Sequence, residues 1–235
     1  AMTVSKDVYQ ESAAGQWADK PDGTGKWVRY DENGHMVKGW QTTDKGTYYF
    51  DLITGAMAKG AGNIDGVPCA FDEYTGIALD GQWLTIKGAD FWYEKGVRQG
   101  LDGRGKEIYD PKSDAWYWLD AVQGGAMTTN KDVYQDSNGG KWVRYDANGH
   151  MVKGWDVNEN GTYYFDQITG AMAKGALLLD DVQYGFDPIV GTMLDCQWLH
   201  TEVGDYWYEG GIRQGTEGRG KEIYDLASDA WYWLD

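Results

Sequence analysis

What this chain offers a ligand is ring faces: 13 Trp, 17 Tyr and 5 Phe stand in 235 residues, beside 34 Gly and only 4 Pro. An aromatic plane attracts cations and lies flat on apolar surface at little conformational cost. The equipment of catalysis is not in evidence. No nucleophile–base constellation, phosphate-binding glycine loop or zinc spacing can be traced, which argues against an enzyme and against a resident cofactor. The stretch Asp156–Gly161 opens like a calcium loop. Gln167 stands where the closing Glu belongs, so a turn is expected there and no metal. His35 and His150 follow Asn-Gly and read as exposed turn residues, while His200 has no counterpart. Two cysteines, Cys69 and Cys196, cannot build a disulfide framework.

Charge narrows the partners. The formal net charge is −16, which speaks against a nucleic-acid groove lined with Lys and Arg and against docking on an anionic membrane. No apolar run has the length of a membrane-spanning helix, so no membrane insertion is expected. A cationic head group or a neutral sugar suits such a field; a bare polyanion does not.

The elements that must position the rings come from a duplication. KWVRYDENGHMVKGW at Lys26–Trp40 returns as KWVRYDANGHMVKGW at Lys141–Trp155, and the match continues to SDAWYWLD at Ser113–Asp120 and Ser228–Asp235. Upstream, AMTVSKDVYQES at Ala1 pairs with AMTTNKDVYQDS at Ala126, and the difference in offset marks an insertion near residues 13–24. The expected organisation is a first copy over 1–125 and a second over 126–235, forming one continuous solenoid and cut in register from a longer array. Within each copy a unit of about 20 residues recurs: an aromatic strand, an Asp or Glu, a Gly-containing turn, an apolar residue and Gly. Many rings, many glycines and no convincing helix point to an all-β chain of stacked β-hairpins, with Asn33-Gly34 and Asn148-Gly149 as turn signals. An isolated hairpin is marginal in water, so the units must stack to bury a face, which predicts an elongated solenoid of five or six hairpins per copy. Strand alternation puts Trp27 and Arg29 on one face, with Val28 and Tyr30 on the other. Tyr30, Met36, Phe50, Met57 and Phe71 are the expected core, and Asp31, Asp51, Asp72 and Asp110 should bond turn backbone.

The pattern of Gly25–Trp40, Gly140–Trp155 and Trp116–Met127 resembles the cell-wall-binding repeat superfamily. Its branches are the choline-binding modules of bacterial surface proteins, the glucan-binding repeats of secreted glucosyltransferases and the repeats of large clostridial toxins. The resemblance implies a secreted or surface-attached bacterial protein. It implies a non-catalytic module that binds choline-substituted teichoic acid through aromatic cages between hairpins. A carbohydrate-binding module for glucan or host glycan is the alternative, and a structural spacer or protein-interaction stalk the second.

Carried over from the choline branch, the cage residues are Trp27, Trp40 and Tyr49 in copy one, and Trp142, Trp155 and Tyr164 in copy two. The competing expectation is that these rings simply pack between hairpins. Large rings on both strand faces exceed what a thin solenoid core can bury, which favours a ligand site. Thr47, Pro68 and Asp90 replace the family's Trp in the later hairpins, so one full set per copy survives. Partial sets remain at Trp83 with Trp92 and Trp198 with Trp207, and Trp116 and Trp118 are open between core and ligand platform. Arg29 and Arg144 stand where the family usually has an aromatic; a guanidinium there would repel a cation but bond sugar hydroxyls or a phosphate, which shifts weight from choline toward glycan. Trp17, inside the insertion, is expected to pack over it.

Overall fold

A computed structural model describes residues 1–136 and 139–235; Ser137, near the end of the repeated AMTTNKDVYQDS, lies outside the described residues. The chain forms two compact units, Ala1–Thr128 and Thr129–Asp235. The described elements of both are β-strands, with 3-10 turns at Gly15–Trp17 and Ala121–Gln123 in the first.

In the first unit five antiparallel hairpins follow one another. They pair β1 (Lys6–Ala13) with β2 (Thr24–Tyr30), β3 (Gly39–Thr43) with β4 (Gly46–Phe50), and β5 (Gly60–Ile64) with β6 (Val67–Phe71). Then β7 (Gln82–Ile86) pairs with β8 (Ala89–Glu94), the short β9 (Val97–Arg98) follows, and β10 (Gly105–Asp110) pairs with β11 (Ala115–Asp120). Strand β9 joins β6 to β8, and β12 (Ala126–Met127) joins β8 to β11, so the last three hairpins share an eight-stranded sheet.

The second unit repeats the order. It pairs β13 (Lys131–Gln135) with β14 (Lys141–Tyr145), β15 (Gly154–Asn158) with β16 (Gly161–Phe165), and β17 (Gly175–Leu179) with β18 (Val182–Phe186). Next β19 (Gln197–Thr201) pairs with β20 (Gly204–Glu209), and β21 (Ile212–Arg213) joins β20 to β18. Strands β22 (Lys221–Asp225) and β23 (Ala230–Leu234) form the fifth hairpin.

The 20-residue period has a physical cause. Each aromatic strand ends on an Asp that turns the chain, and the apolar residue beyond the turn folds back as a one-residue bridge: Tyr30 to Met36, Phe50 to Met57, Phe71 to Ala78. Asn33-Gly34 therefore closes this back-turn, whereas the tight hairpin turns lie elsewhere, as at Asp65-Gly66 and Lys87-Gly88. Both residues of those two turns have positive φ, 50° and 82° in one, 52° and 83° in the other, which matches the twist of the flanking strands.

The turn Asp side chains bond backbone as expected. Asp31 Oδ1 accepts from the Asn33 and His35 N–H groups, Asp51 Oδ1 from those of Ile53 and Thr54, Asp72 Oδ1 from those of Tyr74 and Thr75, and Asp110 Oδ1 from that of Lys112. Phe50, Phe71 and Met57 are buried, as are Tyr145, Phe165 and Phe186, while Tyr30 and Met36 are half-buried.

The insertion in the first copy is part of the core. Trp17 is buried and meets Phe71 edge-on at 5.8 Å, in a cluster with Ala14, Tyr49, Ile64 and Cys69. Gln16 clamps the neighbouring β5, donating to the Asn63 carbonyl at 2.6 Å and accepting from its N–H at 3.1 Å. A Cβ at Gly62 would fall 2.3 Å from the Trp17 ring, so glycine is what admits the indole. In the second copy, which lacks the insertion, Leu177 replaces Gly62 and Tyr184 replaces Cys69. The two copies build this place from different residues.

Trp17→Ala is expected to lower the stability of the first unit by about 3–5 kcal/mol, read from urea unfolding, with the second unit unaffected. A pH prediction follows from the turns. Hydrogen bonds from the Thr75 and Thr169 backbone N–H groups lead in holding the Asp72 and Asp166 carboxyls below the usual carboxylate range. A folded pKa below the unfolded one gives stability that is present above the unfolded value and lost as pH falls through the folded one. Near-ultraviolet circular dichroism should thus hold down to about pH 4 and fall below it. Asp72→Asn combined with Asp166→Asn should flatten that acid limb.

Candidate ring site at the hairpin seams

Consecutive backbone N–H groups stitch each hairpin to the one before it. The Met57 N–H donates to the Trp27 carbonyl at 2.7 Å, and the Ala58 N–H to that of Tyr49 at 2.8 Å. The second unit repeats this with Met172 to Trp142 and Ala173 to Tyr164, both at 2.8 Å. The seam therefore brings the Trp27 strand alongside the Tyr49 strand, and register places Trp40 directly opposite Tyr49. The equivalent stitch one hairpin later, Ala78 to Thr47 and Leu79 to Ala70, joins two small residues. One ring-bearing seam of this kind per unit is the result.

Exposure sorts the predicted residues. Trp27 and Trp40 are 36% and 42% exposed, and Trp142 and Trp155 are 40% and 44%, whereas Tyr49 and Tyr164 are buried. Burial pushes the Tyr49 phenol above its ordinary pKa, so the ring stays neutral. The indoles of Trp40 and Trp155 meet these tyrosines edge-on at 5.2 and 5.1 Å. At that spacing the rings touch, and the face open to a ligand is the outer indole face. Trp27 and Trp142 meet different partners, Tyr9 at 5.5 Å and Tyr134 at 5.4 Å, the residues opposite them in register.

Further ring partners follow only from the packing. Trp40 lies 5.7 Å from Phe71; Trp155 lies 5.0 Å from Tyr184 and 6.1 Å from Phe186. Lys59 Nζ stands 5.5 Å from the Trp27 ring centroid and Lys174 Nζ 5.4 Å from that of Trp142, both within cation–π range. The repeated DVYQ segment carries Tyr9 and Tyr134, and the repeated AMAKGA carries the lysines, but neither repeat by itself says which ring it meets.

The partial sets sit deeper. Trp83 meets Trp92 at 5.0 Å and Tyr117 at 4.9 Å, and its Nε1 donates to Asp110 at 3.0 Å. Trp92 is buried and its Nε1 donates to Glu94 at 3.2 Å. Trp198 and Trp207 repeat this arrangement, with donors directed at Asp225 and Glu209. Trp116 is 38% exposed and Trp118 is buried, while their counterparts Trp231 and Trp233 are 66% and 60% exposed. The chain after β11 contributes to this difference: Met127 pairs with Leu119, and the Thr128 N–H donates to the Trp118 carbonyl.

The arginines are engaged with their own chain. Arg29 donates from Nε and Nη2 to both oxygens of Asp7, at 2.7 and 2.9 Å, and lies over Tyr48 at 4.4 Å. Arg144 makes the same fork with Asp132, adds an Nη1 bond to Asp156 at 2.8 Å, and lies over Tyr163 at 4.1 Å. The bond to Asp132 leads in raising the Arg144 pKa. Asp156, the first carboxylate of the calcium-like stretch, is thereby committed to a guanidinium. Recesses of about 440 and 610 Å³ open beside Arg29 and Arg144, and others of about 450 and 300 Å³ beside Lys106 and Lys221; none of these four is lined by a predicted cage residue.

Arg144→Met should cost about 1–3 kcal/mol of second-unit stability in urea unfolding, since it strands two partly buried carboxylates. Arg29→Met should cost the first unit less, because Gln41 stands where the second copy has Asp156.

Comparison with known proteins agrees with this architecture. Residues 24–61 and 136–194 match the model of the choline-binding repeat. No curated protein sequence matches the chain. Among solved structures, choline-binding protein F from Streptococcus pneumoniae, crystallised with a peptidoglycan analogue, is similar with a TM-score of 0.59 and 21% identity, over 89% of this chain and 71% of that one. CbpJ from Streptococcus pneumoniae TIGR4 is similar with a TM-score of 0.59 and 19% identity, over 97% and 86%. The choline-binding domain of CbpL from Streptococcus pneumoniae has a TM-score of 0.54 and 22% identity, over 88% and 100%. At these identities the structural likeness establishes the fold, and the repeat match covers two segments of the chain. Residues 24–61 and 136–194 thus match choline-binding repeats, and the hairpin fold of the chain is similar to that of solved choline-binding proteins.

Proposed function

We propose that this chain is a non-catalytic module that attaches a secreted or surface protein of a bacterium to choline-bearing cell-wall polymer. In this reading the ring-bearing seam of each unit holds the quaternary ammonium. The observation that carries it is the part-exposure of Trp27, Trp40, Trp142 and Trp155 at seams where Tyr49 and Tyr164 are buried. A quaternary ammonium cannot donate hydrogen bonds. A ring face holds it electrostatically, at about 0.5–2 kcal/mol per contact. The net charge of −16 concentrates cations around the module without adding a specific contact. Each seam alone is weak, and retention comes from two or more seams engaging one polymer chain.

Glycan is the competing ligand, since the exposed indole planes also fit the apolar face of a sugar ring. The Arg29 and Arg144 donors that would reach sugar hydroxyls are largely spent on Asp7, Asp132 and Asp156, which favours the ammonium reading.

Intrinsic fluorescence titration separates these ligands. Millimolar choline should quench or shift Trp emission, and Trp40→Ala with Trp155→Ala should weaken the response about tenfold or more. A response to dextran or mucin-type glycans in place of choline would move the module to the sugar branch, and silence towards all of them would leave a spacer.

A further inference from the structure

The seams carry a cation of their own. Lys59 Nζ lies over Trp27 and Lys174 Nζ over Trp142, at 5.5 and 5.4 Å, so each unit directs an ammonium at the face of a part-exposed indole. The placement comes from the stitch: Met57 is bonded to the Trp27 backbone, and the extended chain two residues on carries Lys59 back along that strand. The next seam supplies an internal control. There the same stitch joins Ala78 to Thr47 and Met193 to Thr162, and the residues two places on are Asp80 and Asp195. Those carboxylates accept from the Lys95 and Gly210 N–H groups at 2.9 and 2.7 Å. Lysine thus accompanies the Trp in both units, and aspartate accompanies the Thr that replaces it.

We infer that Lys59 and Lys174 are internal occupants of the ring site, each holding the indole face that a quaternary ammonium would use. This rests on the proposed choline reading and adds a specificity element to it: the ligand binds by displacing the lysine, and the lysine sets the affinity of its seam. Two like charges cannot share one ring face. A displaced primary ammonium recovers hydrogen bonds to water, while a quaternary one gains none, so the exchange favours the ligand with the fewest donors. The two seams are unequal. Lys59 Nζ makes no hydrogen bond among the described residues, and Asp72 is a carboxylate that feels its charge. Lys174 Nζ also donates to the Ile189 carbonyl at 2.5 Å, which anchors it on Trp142. The second seam is therefore the harder to open.

The test is calorimetric titration of the full chain with choline chloride, near-ultraviolet circular dichroism serving as the fold check. Lys59→Met with Lys174→Met should bind choline roughly two- to fivefold tighter than wild type, with Lys174→Met giving the larger share. Lys59→Arg with Lys174→Arg keeps a cation on each ring and should bind no tighter than wild type. Lys87→Met with Lys112→Met removes the same charge from exposed turns and should change nothing. The inference is overturned when wild type binds choline and the Lys59/Lys174 Met pair binds equally or more weakly, or when the Lys87/Lys112 control gains as much. Should neither wild type nor the Met pair respond to choline, the choline reading itself fails, and this inference with it.

Discussion

The architecture depends on one stitch, repeated in both units: the residue beyond the Asp51, Asp72, Asp166 and Asp187 turns donates its N–H to the backbone of the preceding hairpin, and its neighbour donates within its own. A two-stranded hairpin has only one neighbour for each strand and little apolar surface to bury, so alone it is marginal. The stitch gives the outer strand a second set of backbone partners. It also accompanies the bridges from Phe50 to Met57 and from Phe71 to Ala78, which carry the next apolar residue inward. The Asp that opens each turn, bonded to two or three groups of the turn itself, fixes where the stitch begins.

Once the stitch is set, the position of every ring is decided by its place relative to the seam. A strand residue whose carbonyl accepts the stitch stands at the outer rim, as Trp27 and Trp142 do, and remains part-exposed. The middle rings pack inward, as Tyr49 and Phe50 do. The opening residue of the following hairpin, Trp40 or Trp155, caps the buried ring and leaves its own outer face to solvent. Part-exposed indoles are thus produced by the same geometry that builds the core. A small residue at the rim position, such as Thr47 or Thr162, removes the exposed ring while the backbone stitch still forms.

The two copies show how much variation this plan absorbs. The first fills one place with Trp17 from its insertion, which Gly62 admits; the second has Leu177 and Tyr184 at those positions, with Tyr184 set against Trp155. The first unit therefore has an extra indole against Phe71, and the second an additional ring beside Trp155. Arg29 and Arg144 sit over the inner rings and are held by carboxylates, so an aromatic missing from the strand is replaced by a cation stacked on its neighbours.

By itself the sequence determined the class of structure, the duplication and the period, because each rests on local chemistry. Gly and Asp punctuate turns, aromatic residues favour strands, and Asp31, Asp51 and Asp72 needed only their own following residues to find partners. It did not separate the true hairpin turns from the back-turn at Asn33-Gly34, since both are short and polar and differ only in which strands they join. Nor could spacing distinguish the indoles of Trp83 and Trp198, which are half-buried with N–H groups bonded to Asp110 and Asp225, from Trp40 and Trp155 at equivalent positions of other hairpins. That difference depends on which hairpin covers them, a contact made between residues far apart in the chain. The tertiary structure alone decided that Tyr9 would meet Trp27, that Trp17 would enter the core, and that Lys59 and Lys174 would lie over the part-exposed rings of Trp27 and Trp142.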